Sequence, residues 1–184
     1  MKTLKRRRKE NKTNYLKRIK LLKGKSPRLV FRKTNKYIIT QYVTSKQAQD
    51  KVEISINSKQ LMKYGWPKEF NGSLKSLPAS YLTGFLIGKK IISKKLEKPI
   101  IDFGMIRPLH KTKIYSFLKG LIDSGIEIKS KEDIFPDENR IKGKHMKKDF
   151  SQIFEEIKSK IGKEWCIKEN PEKKEILKLK KKKQ

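Results

Sequence analysis

Between Arg28 and Val43 the chain reads Arg-Leu-Val-Phe-Arg-Lys-Thr-Asn-Lys-Tyr-Ile-Ile-Thr-Gln-Tyr-Val. Two runs rich in β-branched and aromatic residues are parted by a two-residue break, Asn35-Lys36, and that spacing predicts a β-hairpin. Alternation places Arg28, Val30, Arg32 and Thr34 on one face of the first strand, with Leu29 and Phe31 on the other. Asn35 is among the few residues besides glycine that tolerate positive φ, so the tight turn is expected there. Lys33 and Lys36 sit at or beside that turn. A half-buried hairpin with so many cations at one end is a rigid mount for contacts to an anionic partner.

The charge balance points the same way. The 184 residues hold 49 Lys and Arg against 19 Asp and Glu, a formal net charge of +30. Such a chain repels itself unless a polyanion neutralises it, and nucleic acid is the obvious one. An anionic membrane surface is the rival, but no amphipathic Trp/Phe face is present to anchor the chain there. The charge is uneven: residues 1–36 hold 16 Lys and Arg against the single acid Glu10, and Pro171 to Gln184 holds seven Lys against Glu172 and Glu175. The region between is balanced enough for one globular domain with basic ends. Cys166 is the one cysteine, which leaves no disulfide framework and no cysteine-based zinc site. The first residues lack an apolar core after their basic run, so no secretory signal is expected and the cytosol is the simplest compartment. The stretch from Tyr81 to Ile92 is interrupted by Gly84, Gly88, Lys89 and Lys90 and is too short to span a membrane.

Taken in order, residues 1–12 offer little to bury and are expected to be disordered in the free protein. Tyr15, Leu16, Ile19 and Leu22 fall at helical spacing, capped by Thr13 or Asn14 and ended by Gly24 and Pro27, with one face on the core and the other toward phosphates. Lys51 to Asn57 alternates as a third, antiparallel strand with Val52, Ile54 and Ile56 inward. Lys59 to Tyr64 suits a short helix, and Trp66 anchors the following loop to the core. Pro78 opens a central helix, capped by Ser76, whose Gly84 and Gly88 would let it approach a sheet closely. Pro99 to Met105 reads as a buried parallel strand. Ile114, Phe117, Leu118, Leu121 and Ile122 form an amphipathic helix stopped by Gly125. Ile126 to Lys131 is read as extended, Asp133 to Asn139 as an acidic turn, and Arg140 to Met146 as a basic segment without helical period. Phe150, Ile153, Phe154, Ile157 and Ile161 mark a last helix, capped by Asp149 and ended by Gly162.

The domain reading is therefore a basic arm and helix over 1–26, an α/β core over 27–131, a contact loop over 132–148, a helix over 149–163 and a lysine-rich tail over 164–184. The fold class is α/β, with a mixed sheet: a three-strand antiparallel meander plus one parallel strand, covered by helices. Chemistry is thinly represented. Asp102, with Glu53 and Asp123, would be the one carboxylate set able to hold a divalent metal, as a metal-dependent RNA nuclease requires. No spacing ties the three together, and Asp102 is better read as capping a strand end or pairing with a lysine. His110 and His145 stand apart without other ligands, and Ser80 and Ser116 lack a nucleophile's setting. No cofactor and no enzymatic activity are expected. A non-specific basic protein that compacts nucleic acid is the other alternative.

Several motifs together resemble one family. Arg6 to Arg18, Pro27 to Gln41, the helix Pro78 to Lys90, Ile101 to Met105, Leu118 to Gly125 and Phe135 to Met146 match in order and spacing the archaeal form of large-subunit ribosomal protein eighteen, whose eukaryotic counterpart is large-subunit protein five. The resemblance implies a ribonuclease H-like sheet without catalytic carboxylates. It also implies binding of 5S rRNA and its attachment to the large-subunit rRNA in the central protuberance of the ribosome, beside neighbouring ribosomal proteins. On it, Arg6, Arg7, Arg8, Lys12, Tyr15 and Arg18 belong to an RNA-gripping arm. Arg28, Arg32, Lys33, Asn35 and Lys36 would be hairpin contacts, and Arg140, Lys142, Lys144 and His145 contacts of the C-terminal loop.

Overall fold

The computed structural model describes residues 3–10, 12–146 and 149–169. One exposed helical turn, α1 (Arg6–Lys9), precedes α2 (Tyr15–Lys23), whose start is fixed by Asn14 Oδ1 accepting from the Lys17 N–H at 3.1 Å. Three strands follow, β1 (Arg28–Lys33), β2 (Ile38–Lys46) and β3 (Gln49–Asn57). After two 3₁₀ segments, Ser58–Tyr64 and Lys68–Ser73, comes the central helix α3 (Leu77–Ser93), then β4 (Ile100–Asp102) and α4 (Lys113–Asp123). A short 3₁₀ turn (Glu132–Ile134), α5 (Glu138–Lys142) and α6 (Ser151–Glu169) complete the chain. The sheet order is β3-β2-β1-β4, antiparallel throughout except for β4 against β1, so the mixed architecture is as expected.

The hairpin pairs Arg28 with Val43 and Lys33 with Ile38, but its turn differs from expectation. Neither Asn35 nor Lys36 takes positive φ. Thr34 closes the loop instead: its N–H and Oγ1 both donate to the Tyr37 carbonyl, at 2.8 Å each, and Oγ1 accepts from the Tyr37 N–H at 2.9 Å. The left-handed pair lies at the β2–β3 turn, where Gln47 and Ala48 have φ of 49° and 64°. A second correction concerns β3. Tyr42 pairs with Ile54 and Val43 with Val52, so Glu53 is an inserted residue. This bulge rotates Val52 to the other face of the sheet, where it is 47% exposed rather than buried with Ile54 and Ile56.

One sheet face, carrying Leu29, Phe31, Ile38, Tyr42, Ile54 and Ile56, packs into the core with Leu82 and Leu86 of α3 and Phe117 and Leu121 of α4. Phe31 and Phe117 meet with ring centroids 4.8 Å apart. Trp66 anchors its loop as expected, 3% exposed, its Nε1–H donating to the Phe70 carbonyl and its ring 4.7 Å from that of Phe150. Gly84 and Gly88 do not face the sheet. A Cβ on Gly84 would lie 2.3 Å from the Phe117 oxygen, one on Gly88 1.8 Å from Ser124 Oγ, and one on Gly120 2.2 Å from the Tyr81 oxygen. These glycines bring α3 and α4 into backbone contact, and hydroxyls bridge the pair: Ser80 donates to the Lys113 carbonyl and Ser116 to the Leu77 carbonyl.

Five further readings change. β4 is an edge strand, with Ile100 39% exposed, because no further strand among the described residues lies beyond it. Ile126 to Lys131 forms no strand pairing, and α5 gives Arg140 to Lys142 a helical turn pinned by buried Ile141. α2 does not bury its apolar stripe, since Leu16 is 70% and Ile19 50% exposed. α6 runs through Gly162 to Glu169, where nothing lies within 4 Å of a Cβ to require a glycine, so the expected boundary at 163 falls inside the helix. The tail from residue 170 onward and the burial of Cys166 lie outside what is described.

Candidate nucleic-acid interface

The outer face of the sheet carries Arg28, Val30 and Arg32 on β1, Gln41 and Val43 on β2, and Val52 on β3. The arm and α2 border it, leaving a cleft of about 510 Å³ into which Arg7, Lys12, Lys17 and Arg18 also project. Two carboxylates organise these cations. Asp50 accepts from Ser45 Oγ at 2.7 Å, Arg28 Nη2 at 2.7 Å and Arg18 Nη2 at 2.9 Å. Burial pushes the Asp50 carboxyl up, but the hydrogen bonds from Ser45 and Arg18, with the Arg28 charge, outweigh it and hold it below its ordinary range. Asp102 accepts from the Gly104 N–H at 2.8 Å, with Arg28 Nη1 at 3.8 Å and Lys17 Nζ at 4.0 Å.

Arg28 is therefore 3% exposed and held between two acids, its fork closed by protein. Arg32, four residues on, is exposed, and its Nη1 donates to the carbonyl of Phe31 at 3.2 Å. Gly104 makes room for it: φ is +62°, and a Cβ there would lie 2.5 Å from Arg32 Nη1. On the arm, Arg6 and Lys12 both meet Glu10, at 3.0 and 2.6 Å, and Arg7 Nε donates to Thr13 Oγ1 at 2.9 Å. Arg8 is exposed, and Lys5 Nζ stands 4.8 Å over the Tyr15 ring. Lys33, Asn35 and Lys36 are exposed at the hairpin tip, as are Arg140, Lys144 and His145 around α5, while Lys142 pairs with Glu155 at 3.2 Å.

These predicted residues form two groups rather than one. Around the cleft on the outer sheet face stand Arg7, Lys12, Arg18 and Arg32, and on the opposite face of β1, next to Phe31, a second cavity brings Lys33 beside Arg140. Sequence reasoning missed Lys17 in the first group and Arg107, Lys111 and Lys113 in the second. Burial, then the nearby charges of Lys33 and Lys75, lower the Lys113 ammonium's pKa. The carboxylates considered for a metal lie apart. Glu53 is taken by Lys51 and Thr44, and Asp123 by Lys119 and the Tyr81 hydroxyl. No three acidic, histidine or cysteine side chains among the described residues converge as ligands.

Residues 1–99, which contain the arm, the three-strand meander and α3, match the family described as ribosomal large subunit proteins 60S L5 and 50S L18. This chain belongs to that family. Its relatives include the large ribosomal subunit protein uL18 of Korarchaeum cryptofilum, 43% identical over 141 residues, or 77% of this chain and 70% of that protein. The uL18 of Methanoregula boonei is 40% identical over 141 residues, covering 77% of this chain and 79% of that protein. A member of this family is a structural component of the large ribosomal subunit, and its working partners are ribosomal RNA and neighbouring ribosomal proteins. The archaeal-type resemblance seen in the sequence motifs agrees with both relatives.

Proposed function

We propose that the chain binds 5S rRNA and attaches it to the large-subunit rRNA in the central protuberance, as a non-enzymatic clamp. The observation that carries this is the division of the cations. Acids inside the protein take up Arg28 and share Arg18, while Arg8, Arg32, Lys33, Lys36, Arg140 and Lys144 stand exposed on pre-formed elements or the arm. Exposed cations held on pre-formed elements on both faces of the sheet suit a folded RNA, whose phosphates are spaced by its own shape. A compacting protein would need charge without that placement. Purifying the protein from its own cells and sizing the attached RNA tests the reading. A single small species with the sequence of 5S rRNA is expected, and a smear of unrelated RNA or DNA fragments would contradict it.

A further inference from the structure

The second cavity has a construction the first lacks. Its volume is about 350 Å³, in the range of small-ligand sites, and its floor is apolar: Phe31, Leu77, Ile106, Leu109 and Ile114. Leu109 is 52% exposed, a large apolar side chain at an open rim. Around that rim stand Lys33, Arg107, Lys111, Lys113 and Arg140, drawn from β1, the loop after β4, α4 and α5. No acid lines the cavity; the nearest pairing is Lys111 with Asp137 at 3.8 Å. Thr112 turns its hydroxyl onto the Leu109 carbonyl at 2.6 Å and so makes no side-chain cap for the first N–H groups of α4.

An apolar floor wants a flat, uncharged body, and a cationic rim wants phosphate. One unstacked nucleotide supplies both. We propose that this cavity takes a single extruded base of ribosomal RNA. The base rests on Leu77, Ile106 and Leu109, and its flanking phosphates meet Lys33, Lys113 and Arg140. Sequence-specific RNA recognition relies on such splayed bases in loops and bulges, stacked on side chains or guanidinium planes. A protein segment fits less well, because an apolar peptide leaves Lys33, Arg107, Lys113 and Arg140 unanswered and an acidic one leaves the floor bare. Lys113 agrees with the assignment: part-buried and near Lys33 and Lys75, its charged form is disfavoured in the free protein, and an anion entering the cavity would stabilise it.

The inference rests on the chain binding rRNA, and its test separates the two. Methyl NMR of the full chain is followed during titration with the tetranucleotide rA4 and with an abasic tetramer of equal phosphate count. The methyls of Leu77, Ile106, Leu109 and Ile114 should shift with rA4 and not with the abasic chain. Leu109→Asp should abolish those shifts and lower affinity at this site about tenfold, the scale of one stacked base. Lys113→Met should weaken binding of both tetramers while leaving the floor methyls in their free positions. Equal shifts from both tetramers, no shift, or shifts that survive Leu109→Asp would overturn the base pocket. So would an acidic peptide that reproduces them. Affinity for 5S rRNA against an unrelated RNA is measured alongside. Lost 5S preference with the methyl shifts intact would sink the 5S reading and leave the pocket standing, and the reverse result would do the opposite.

Discussion

Arg28 and Arg32 lie four residues apart on the same face of β1, yet their surroundings assign them opposite work. Arg28 is enclosed by Asp50 and Asp102, so Arg28→Ala would strand a 6% exposed carboxylate and unlatch β3 from β1. A loss of about 2–4 kcal/mol is expected by chemical denaturation, less than for a fully buried pair because Asp50 is part-exposed. Arg32→Ala should leave the unfolding midpoint in place and weaken rRNA binding instead. Asp50 gives the network a pH signature. Its carboxyl is held below its ordinary value of 3.8, so its contribution is complete above that value and is lost as pH falls through the lower folded value. Asp50→Asn should therefore lower stability at neutral pH and flatten the acid limb of the stability curve. Lys113 behaves inversely. Its charged form is disfavoured in the folded state, so Lys113→Met should raise the thermal midpoint of the free protein and reduce its affinity for RNA.

At the scale of elements, the α3–α4 contact is the tightest joint described. Gly84 and Gly120 each lack the Cβ that would strike the other helix's backbone, so Gly84→Ala should cost about 1–3 kcal/mol and spread α3 from α4. The β2–β3 turn offers the opposite case. Ala48 sits at φ 64° without the side chain that favours it, so Ala48→Gly should raise stability by about 1 kcal/mol, read from the denaturation midpoint. These two places also mark what periodicity can and cannot show. Alternation and helical spacing located the strands and the long helices, because those patterns record which side of an element is buried. The left-handed turn at Gln47-Ala48 carries no Gly or Asn, so nothing local announced it. The bulge at Glu53 depends on how β3 meets β2, which a single strand's alternation does not contain. Glycine in a helix was likewise visible, but not the partner it makes room for.

At the scale of the molecule, a net charge of +30 made a polyanionic partner legible before any fold was known. What composition could not separate was cations held by the protein's own acids from cations left for RNA. Arg18 and Arg28 meet Asp50, 32 and 22 residues away in sequence, and only the folded sheet brings them together. The second cavity was hidden for the same reason, since Lys33, Lys113 and Arg140 come from distant segments. The central claim is that these exposed, pre-placed cations recognise 5S rRNA through its phosphates and shape. The most direct test is equilibrium binding of the full chain to 5S rRNA and to an unrelated RNA of equal length over a series of salt concentrations. Each neutralised phosphate releases counterions, so log K for 5S rRNA should fall linearly with log salt by several units, with 5S rRNA preferred at every salt. A slope near zero, or equal affinity for the unrelated RNA at matched salt, would contradict the account.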